Sequence, residues 1–278
     1  MLRIRDEERW ISDAIESILP LCERVFVLDD HSQDRTAEIC KGFDRVTVYP
    51  SPFAGLDEAR DKNWLAERVR AACDPDWIVC IDGDEVLVPG GAEIIRETVV
   101  ETESCHAYAF RIAFLWNDEN TVRTDRIYGS FWRPSLFAPY HGRDELIINE
   151  LKFLSTPFGR RSGNNSPNLH CSSVPQRFIH GHGRCPAVLL HYGYMHRADR
   201  VRKLDYYTSI DWLNRAEDSY RHMTQGDNVT LTELPRTQDL VRRGVISMQD
   251  VKYMLDTPAD ASLVHAGPLQ LEKLCELA

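Results

Sequence analysis

Two short apolar runs in the first third of the chain each stop at a pair of acids, and that pattern leaves few folds open. Arg24-Val25-Phe26-Val27-Leu28 meets Asp29-Asp30-His31-Ser32, and Asp76-Trp77-Ile78-Val79-Cys80-Ile81 meets Asp82-Gly83-Asp84-Glu85. A short, unbroken apolar run reads as a strand buried on both faces, as in a parallel sheet covered by helices. The intervening segments agree. Trp10, Ile11, Ala14, Ile15, Ile18 and Leu19 recur at helical spacing over residues 7–19, Val46-Thr47-Val48-Tyr49 is a further strand, and residues 56–72 read as a helix. Strands alternating with helices imply parallel pairing through βαβ crossovers, and such sheets bind ligands beyond the carboxyl ends of their strands. Both acidic clusters then share one edge, although about fifty residues separate them.

The charge balance sharpens what that edge can hold. The chain of 278 residues carries 33 Lys and Arg against 43 Asp and Glu, a formal charge of −10. An acidic surface argues against duplex nucleic acid, so an anionic ligand needs local arginines, backbone amides or a bound cation. No stretch reaches the roughly 20 apolar residues of a membrane-spanning helix, and the N-terminal residues lack the apolar core of a signal peptide, so the expected compartment is the cytoplasm, with peripheral membrane attachment left open. Eight cysteines without a CxxC pair fit reduced thiols.

Beyond residue 102 the character changes. Residues 107–116 read as a strand and 126–137 are rich in aromatics, while 156–186 are dense in Gly, Ser, Asn, Pro and His and read as loop. Val188-Leu189-Leu190-His191-Tyr192 is a short strand, and a helix follows from Ala198. His170, Cys171, His180, His182 and Cys185 lack the paired spacing of a zinc site.

Asp82-Gly83-Asp84 sets two carboxylates at a strand end with a glycine that lets the chain turn. Hard divalent cations take oxygen ligands and bridge to phosphates, so the pattern suits a metal and diphosphate, although a DxD also serves as a plain solvated turn. Asp29 and Asp30 can accept from a nucleobase imide or ribose hydroxyls, while Ser32 or Asp34 caps the next helix. His191 ends a strand, as an imidazole completing a metal site would, and precedes Arg197, Arg200, Arg202 and Lys203, a local source of positive charge.

These residues resemble the nucleotide-binding half of a family 2 glycosyltransferase with the GT-A fold. The counterparts are Arg5-Asp6-Glu7-Glu8-Arg9-Trp10-Ile11, residues 29–36, and Ile81-Asp82-Gly83-Asp84-Glu85. The resemblance is strong over the first ninety residues and weaker to about residue 205. It implies an α/β GT-A architecture, a Rossmann-like nucleotide-binding core with a mixed, mostly parallel sheet, and a helical C-terminal appendage. The implied divisions are a nucleotide-sugar-binding half at 1–105, an acceptor half at 106–205 and a helical extension at 206–278. By the same resemblance Asp30 recognises the base, Asp82 contacts the ribose or metal, and Asp84 holds Mn²⁺ or Mg²⁺ on the diphosphate, with His191 as a further ligand. Arg3, Arg5 and Arg60 line the nucleotide of a UDP-, GDP- or dTDP-sugar.

The family's catalytic base often lies in a segment ending His-Glu, and here Asn168-Leu169-His170-Cys171 has Cys in its place. The candidates for an inverting base are therefore Asp144 and Glu145, with Glu150 behind them. The acceptor class, whether glycan, lipid-linked saccharide, small molecule or peptide, is open. Two rivals stand beside this reading. A nucleotidyltransferase would want a glycine-rich phosphate loop, and residues 2–8 contain no glycine; an inactive binding protein with a helix-turn-helix near 241–254 would want a basic recognition helix.

Overall fold

The structure is a computed structural model that describes residues 1–101, 105–139, 152–154, 171–210, 220–224 and 229–234. Its first half is built around β2 (Val25–Asp29), five residues long and buried throughout. β2 pairs in parallel with β1 (Leu2–Ile4), Ile4 opposite Asp29, and with β3 (Val46–Pro50), Asp29 opposite Pro50. The period-two alternation of a strand decides the layers. Val25 and Val27 join one core cluster with Ile11, Ala14, Ile15 and Ile18 of α1 (Ile11–Ile18), whereas Phe26 and Leu28 join a second with Leu65, Ala66 and Val69 of α3 (Glu58–Ala72). Each fully buried Ile or Leu contributes about 1.5–3 kcal/mol, so the two-sided burial fixes strand register. α2 (Thr36–Lys41) links β2 to β3, and Pro50 is tolerated because β3 is an edge strand. At α3 the Asp57 side chain caps the Arg60 N–H at 2.9 Å.

The second half is centred on β6 (Ala107–Trp116), ten residues that are all buried. It pairs antiparallel with β7 (Asp118–Arg123) and β8 (Trp132–Phe137) and parallel with β9 (Gly183–His191). β4 (Ile78–Val79) pairs antiparallel with β8, and β5 (Glu85–Leu87) antiparallel with β9. The Met1 amino group donates to the Val79 carbonyl at 2.7 Å, joining β1 to β4 across the two sheets. α4 (Gly91–Glu101) packs along β9, and α5 (Arg197–Ile210) follows it in the chain. Among the described residues no helix is long and apolar enough to cross a membrane.

The α/β expectation holds, with parallel pairing confined to β1–β2–β3 and β6–β9. Antiparallel partners dominate the second sheet. The described part of 206–278 is also not purely helical: β10 (Leu231–Glu233) adds an antiparallel strand to β7. The helix expected from residue 7 begins at Ile11, and the strand expected over 76–81 keeps only Ile78 and Val79 in its ladder. Residues 241–254 lie outside the described residues.

Candidate functional site

The loop after β1 and the loop after β2 lock together at the carboxyl ends of both strands. Asp6 and His31 adopt left-handed backbone, φ 53° and 59°, which non-glycine residues keep only when their surroundings enforce it. The enforcing contacts come from the 29–36 motif. Ser32 Oγ accepts the Asp6 N–H at 3.0 Å, Thr36 Oγ1 that of Glu7 at 2.7 Å, and Asp34 that of Glu8 at 3.0 Å. In return the carboxylates of Asp6 and Glu8 accept the N–H groups of Gln33 and Arg35. Asp34 also accepts the Thr36 N–H at 2.9 Å, although the residue at the N-cap of α2 is Arg35, while Ser32 serves the β1 side. These bonds take up the N–H groups of residues 6–8, which have no partner within a helix that begins just after them, and the first α-helical bond runs from the Ile11 N–H to the Glu7 carbonyl at 3.0 Å.

Gly83 has a different reason from the one expected. Its backbone is outside the left-handed region, but a Cβ there would come within 3.0 Å of Ile4 Cγ2 and 3.1 Å of Glu7 Cγ. A side chain there would have to push the β1 loop aside by a few tenths of an ångström, because that loop packs directly on the turn.

The two acids beside it face different partners. Asp82 Oδ2 accepts from Arg133 Nη1 at 2.7 Å, and the other arm of that guanidinium holds Glu85. Glu85 in turn accepts the Asp82 N–H at 2.9 Å, so Arg133, delivered by β8, braces the whole turn. Burial pushes the Glu85 carboxyl up to about 7, with Arg133 opposing and Asp82 and Asp84 reinforcing. The Asp82 side chain stays 46% exposed.

Asp84 is buried, at 3% side-chain exposure, and ion-paired with Lys203 of α5. The β5–β9 ladder sets Glu85 opposite His191, and the Tyr192 N–H donates to the Asp84 carbonyl at 2.9 Å. This register brings His191 Nε2 to 3.6 Å from Asp84 Oδ2. Burial raises the Asp84 carboxyl, but the His191 ring and the Lys203 ammonium outweigh it, and the net shift is downward. Burial lowers His191 to about 4 against the pull of Asp84, so the ring is neutral at pH 7. Burial also works against the Lys203 ammonium, and Asp84 and Glu7 reverse it; Glu7 lies 3.8 Å from Nζ. Glu7 itself is raised to about 8 by burial, which Lys203 opposes and Asp84 reinforces.

These groups line one cavity together with Arg3, Arg5, Asp82, Tyr194, Arg202, Tyr206 and Tyr207. Asp30 does not line it. It is 1% exposed, and Arg3 Nη2 holds it at 2.6 Å while Arg3 Nε reaches buried Asp61 at 2.8 Å. Arg5 lies 3.9 Å from Asp30. Arg60 pairs with Asp61 at 2.8 Å, donates to the Gly55 carbonyl and stacks over Phe53 at 4.3 Å, which braces the loop before α3 rather than the cavity. Asp144, Glu145, Glu150, Tyr140 and His170 lie outside the described residues.

Sequence reasoning missed Arg133 and Glu7 as parts of the site, and it took the basic residues of α5 as one group. The structure divides them. Arg202 and Lys203 face the cavity, whereas Arg200 stacks on Trp116 at 4.0 Å and donates to the Tyr194 and Met195 carbonyls. The helical spacing of 200 and 203 gave no sign of this, because the division is made by Trp116 on β6.

Asp84 and His191 are close enough to share one hard cation, and Mg²⁺ or Mn²⁺ bound through few protein ligands completes its shell with water and phosphate oxygens. The ring nitrogen on that side is Nε2, whereas the other, Nδ1, is buried without a hydrogen-bond partner. Asp82 is turned to Arg133, and among the described residues no three His, Cys, Asp or Glu side chains form a closed cage. Asp84 and His191 are thus the two donors that a cation would find at this turn.

The family model for glycosyl transferase family 2 matches residues 4–162, more than half of the chain, and takes in both acidic turns. The chain belongs to glycosyl transferase family 2. An uncharacterized protein of Mycobacterium bovis is 25% identical over 228 residues, covering 76% of this chain and 50% of that protein. An uncharacterized glycosyltransferase of Rickettsia bellii is 27% identical over 137 residues, 49% of this chain and 41% of that one. The chain spans about half the length of the curated relatives it matches. Among solved structures, S. aureus TarS is 14% identical with a TM-score of 0.34, over 49% of this chain and 45% of that chain. Glucosyl-3-phosphoglycerate synthase from Mycobacterium tuberculosis, crystallised with Mn²⁺, uridine diphosphate and glucosyl-3-phosphoglycerate, is 21% identical with a TM-score of 0.29, over 41% and 42%.

Proposed function

We propose that this family 2 domain transfers a glycosyl group from a nucleoside-diphosphate sugar to an acceptor, with Mn²⁺ or Mg²⁺ as cofactor. The observation that carries the reading is the closeness of Asp84 to the neutral His191 ring in a cavity that Arg3, Arg5, Arg202 and Lys203 also line. The same cavity is lined by Asp6, Glu7, Glu58, Asp82 and Asp84, so an anionic leaving group needs a bound cation there in addition to the arginines and Lys203. A divalent cation at Asp84 and His191 supplies charge stabilisation for the departing diphosphate. Asp82, held by Arg133 yet 46% exposed, is proposed to accept from a ribose hydroxyl. Arg3, with Asp30 and Asp61 behind it, presents a fixed guanidinium to the nucleotide. Asp144 or Glu145 is proposed to take the acceptor proton in an inverting transfer. The seven described cysteines are free thiols, which supports a reducing, cytoplasmic setting.

The test incubates the protein with UDP-, GDP- and dTDP-sugars and Mn²⁺ or Mg²⁺ and follows nucleoside-diphosphate release. One donor class should be hydrolysed slowly without acceptor, and Asp84→Ala should abolish the release. Release by Asp84→Ala at the parent rate would remove this carboxylate from the site.

A further inference from the structure

We infer that Lys203 and a divalent cation compete for Asp84, so that the cation enters the apex only together with a diphosphate that takes over the Lys203 ammonium. The inference rests on the nucleotide-sugar reading and adds an order of events to it. Lys203 Nζ is ion-paired with Asp84 Oδ2, the same oxygen that faces His191 Nε2 at 3.6 Å. A cation bridging that oxygen and that nitrogen would therefore lie against the ammonium. Two positive charges on one carboxylate oxygen repel unless a further anion arrives, and at short range in a buried site that repulsion is barely screened.

The backbone is built around the pair. A Cβ at Gly193 would overlap both the Asp84 carboxylate and the Lys203 ammonium, so the glycine leaves the room they occupy. α5 is pinned, since Arg200 donates to the carbonyls of Tyr194 at 2.7 Å and Met195 at 2.8 Å, and Asp199 pairs with Arg9 at 3.1 Å. The Lys203 side chain is the movable partner: it is 15% exposed against 3% for Asp84 and lies on the cavity with Arg202 beside it. A flexible four-carbon stem lets the ammonium pass from carboxylate to phosphate without moving the helix. The diphosphate then satisfies both cations at once, and neither binds well without it.

Mn²⁺ binding is measured by electron paramagnetic resonance on the parent protein, Lys203→Gln and Lys203→Arg, each with and without UDP, GDP or dTDP. The parent should bind Mn²⁺ about tenfold or more tightly when the nucleoside diphosphate is present. Lys203→Gln should bind Mn²⁺ alone about tenfold more tightly than the parent, with the nucleotide-to-metal coupling reduced by the same factor, and Lys203→Arg should retain the parent's weak binding. Equal or weaker Mn²⁺ binding by Lys203→Gln, or parent binding that nucleotide leaves unchanged, overturns the inference. Failure of every nucleoside diphosphate to bind would instead sink the functional reading, and the metal-only comparison of Lys203→Gln with the parent would still be readable.

Discussion

Replacing Glu7 by Gln tests whether burial or the neighbouring ammonium decides the charge at the apex. Glu7 has Lys203 at 3.8 Å, yet burial is the larger influence and lifts its carboxyl from 4.5 to about 8. A carboxyl whose pKa rises on folding contributes stability that is complete below 4.5 and is lost as pH climbs through about 8, because only the unfolded chain ionises it freely. Inside that window the loss is about 1.4 kcal/mol per pH unit. Gln keeps the shape and does not titrate, so its stability relative to the parent should rise by about 3–4 kcal/mol between pH 5 and pH 8. That is a large share of the roughly 5–15 kcal/mol that holds a typical domain together. Urea unfolding followed by circular dichroism at pH 5, 6, 7 and 8 measures the difference, and the pH response of Glu85 cancels because both proteins carry it. A difference that stays constant, or one that favours the parent as pH rises, would show Glu7 ionised beside Lys203 and refute the reasoning.

Arg133→Met strips Asp82 and Glu85 of their shared guanidinium. Leaving a buried acid without its partner costs about 3–5 kcal/mol, and nucleoside-diphosphate binding should weaken at least tenfold; unchanged binding by calorimetry would free Asp82 from the site. Gly193→Ala drives a methyl group into the Asp84–Lys203 pair, so nucleotide binding should be lost, and a variant that binds normally would contradict the packing. Thr36→Val keeps the volume but orphans the Glu7 N–H, which Thr36 Oγ1 now accepts at 2.7 Å. Thermal unfolding should show a loss of about 1–3 kcal/mol, and an unchanged midpoint would mean that the 29–36 motif does not hold the β1 loop.

What could be read from the sequence was local. The apolar run 25–28 specifies a strand buried on both faces, and its alternation sorts into the two core clusters. The spacing of Ile11, Ala14, Ile15 and Ile18 specifies α1. Asp82 and Asp84 were legible because strand ends of an α/β sheet gather on one edge. Their partners were not, because Arg133 sits on an antiparallel strand and Lys203 on a helix far along the chain, and only sheet register brings both to the same turn. Asp30 illustrates the converse: the motif marks it, but Arg3 and burial take it away from the cavity. The mostly parallel sheet was a generalisation from the first three strands, and the exposed, polar β10 had no pattern to reveal it.

The central claim is that the Asp84 and His191 apex holds a nucleoside diphosphate through a divalent cation. Calorimetric titration of UDP, GDP and dTDP into the protein, with and without Mn²⁺, tests it most directly. The account predicts binding of at least one of the three that requires Mn²⁺ and disappears in Asp84→Ala. No binding of any of them under either condition, or equal binding by Asp84→Ala, would contradict it.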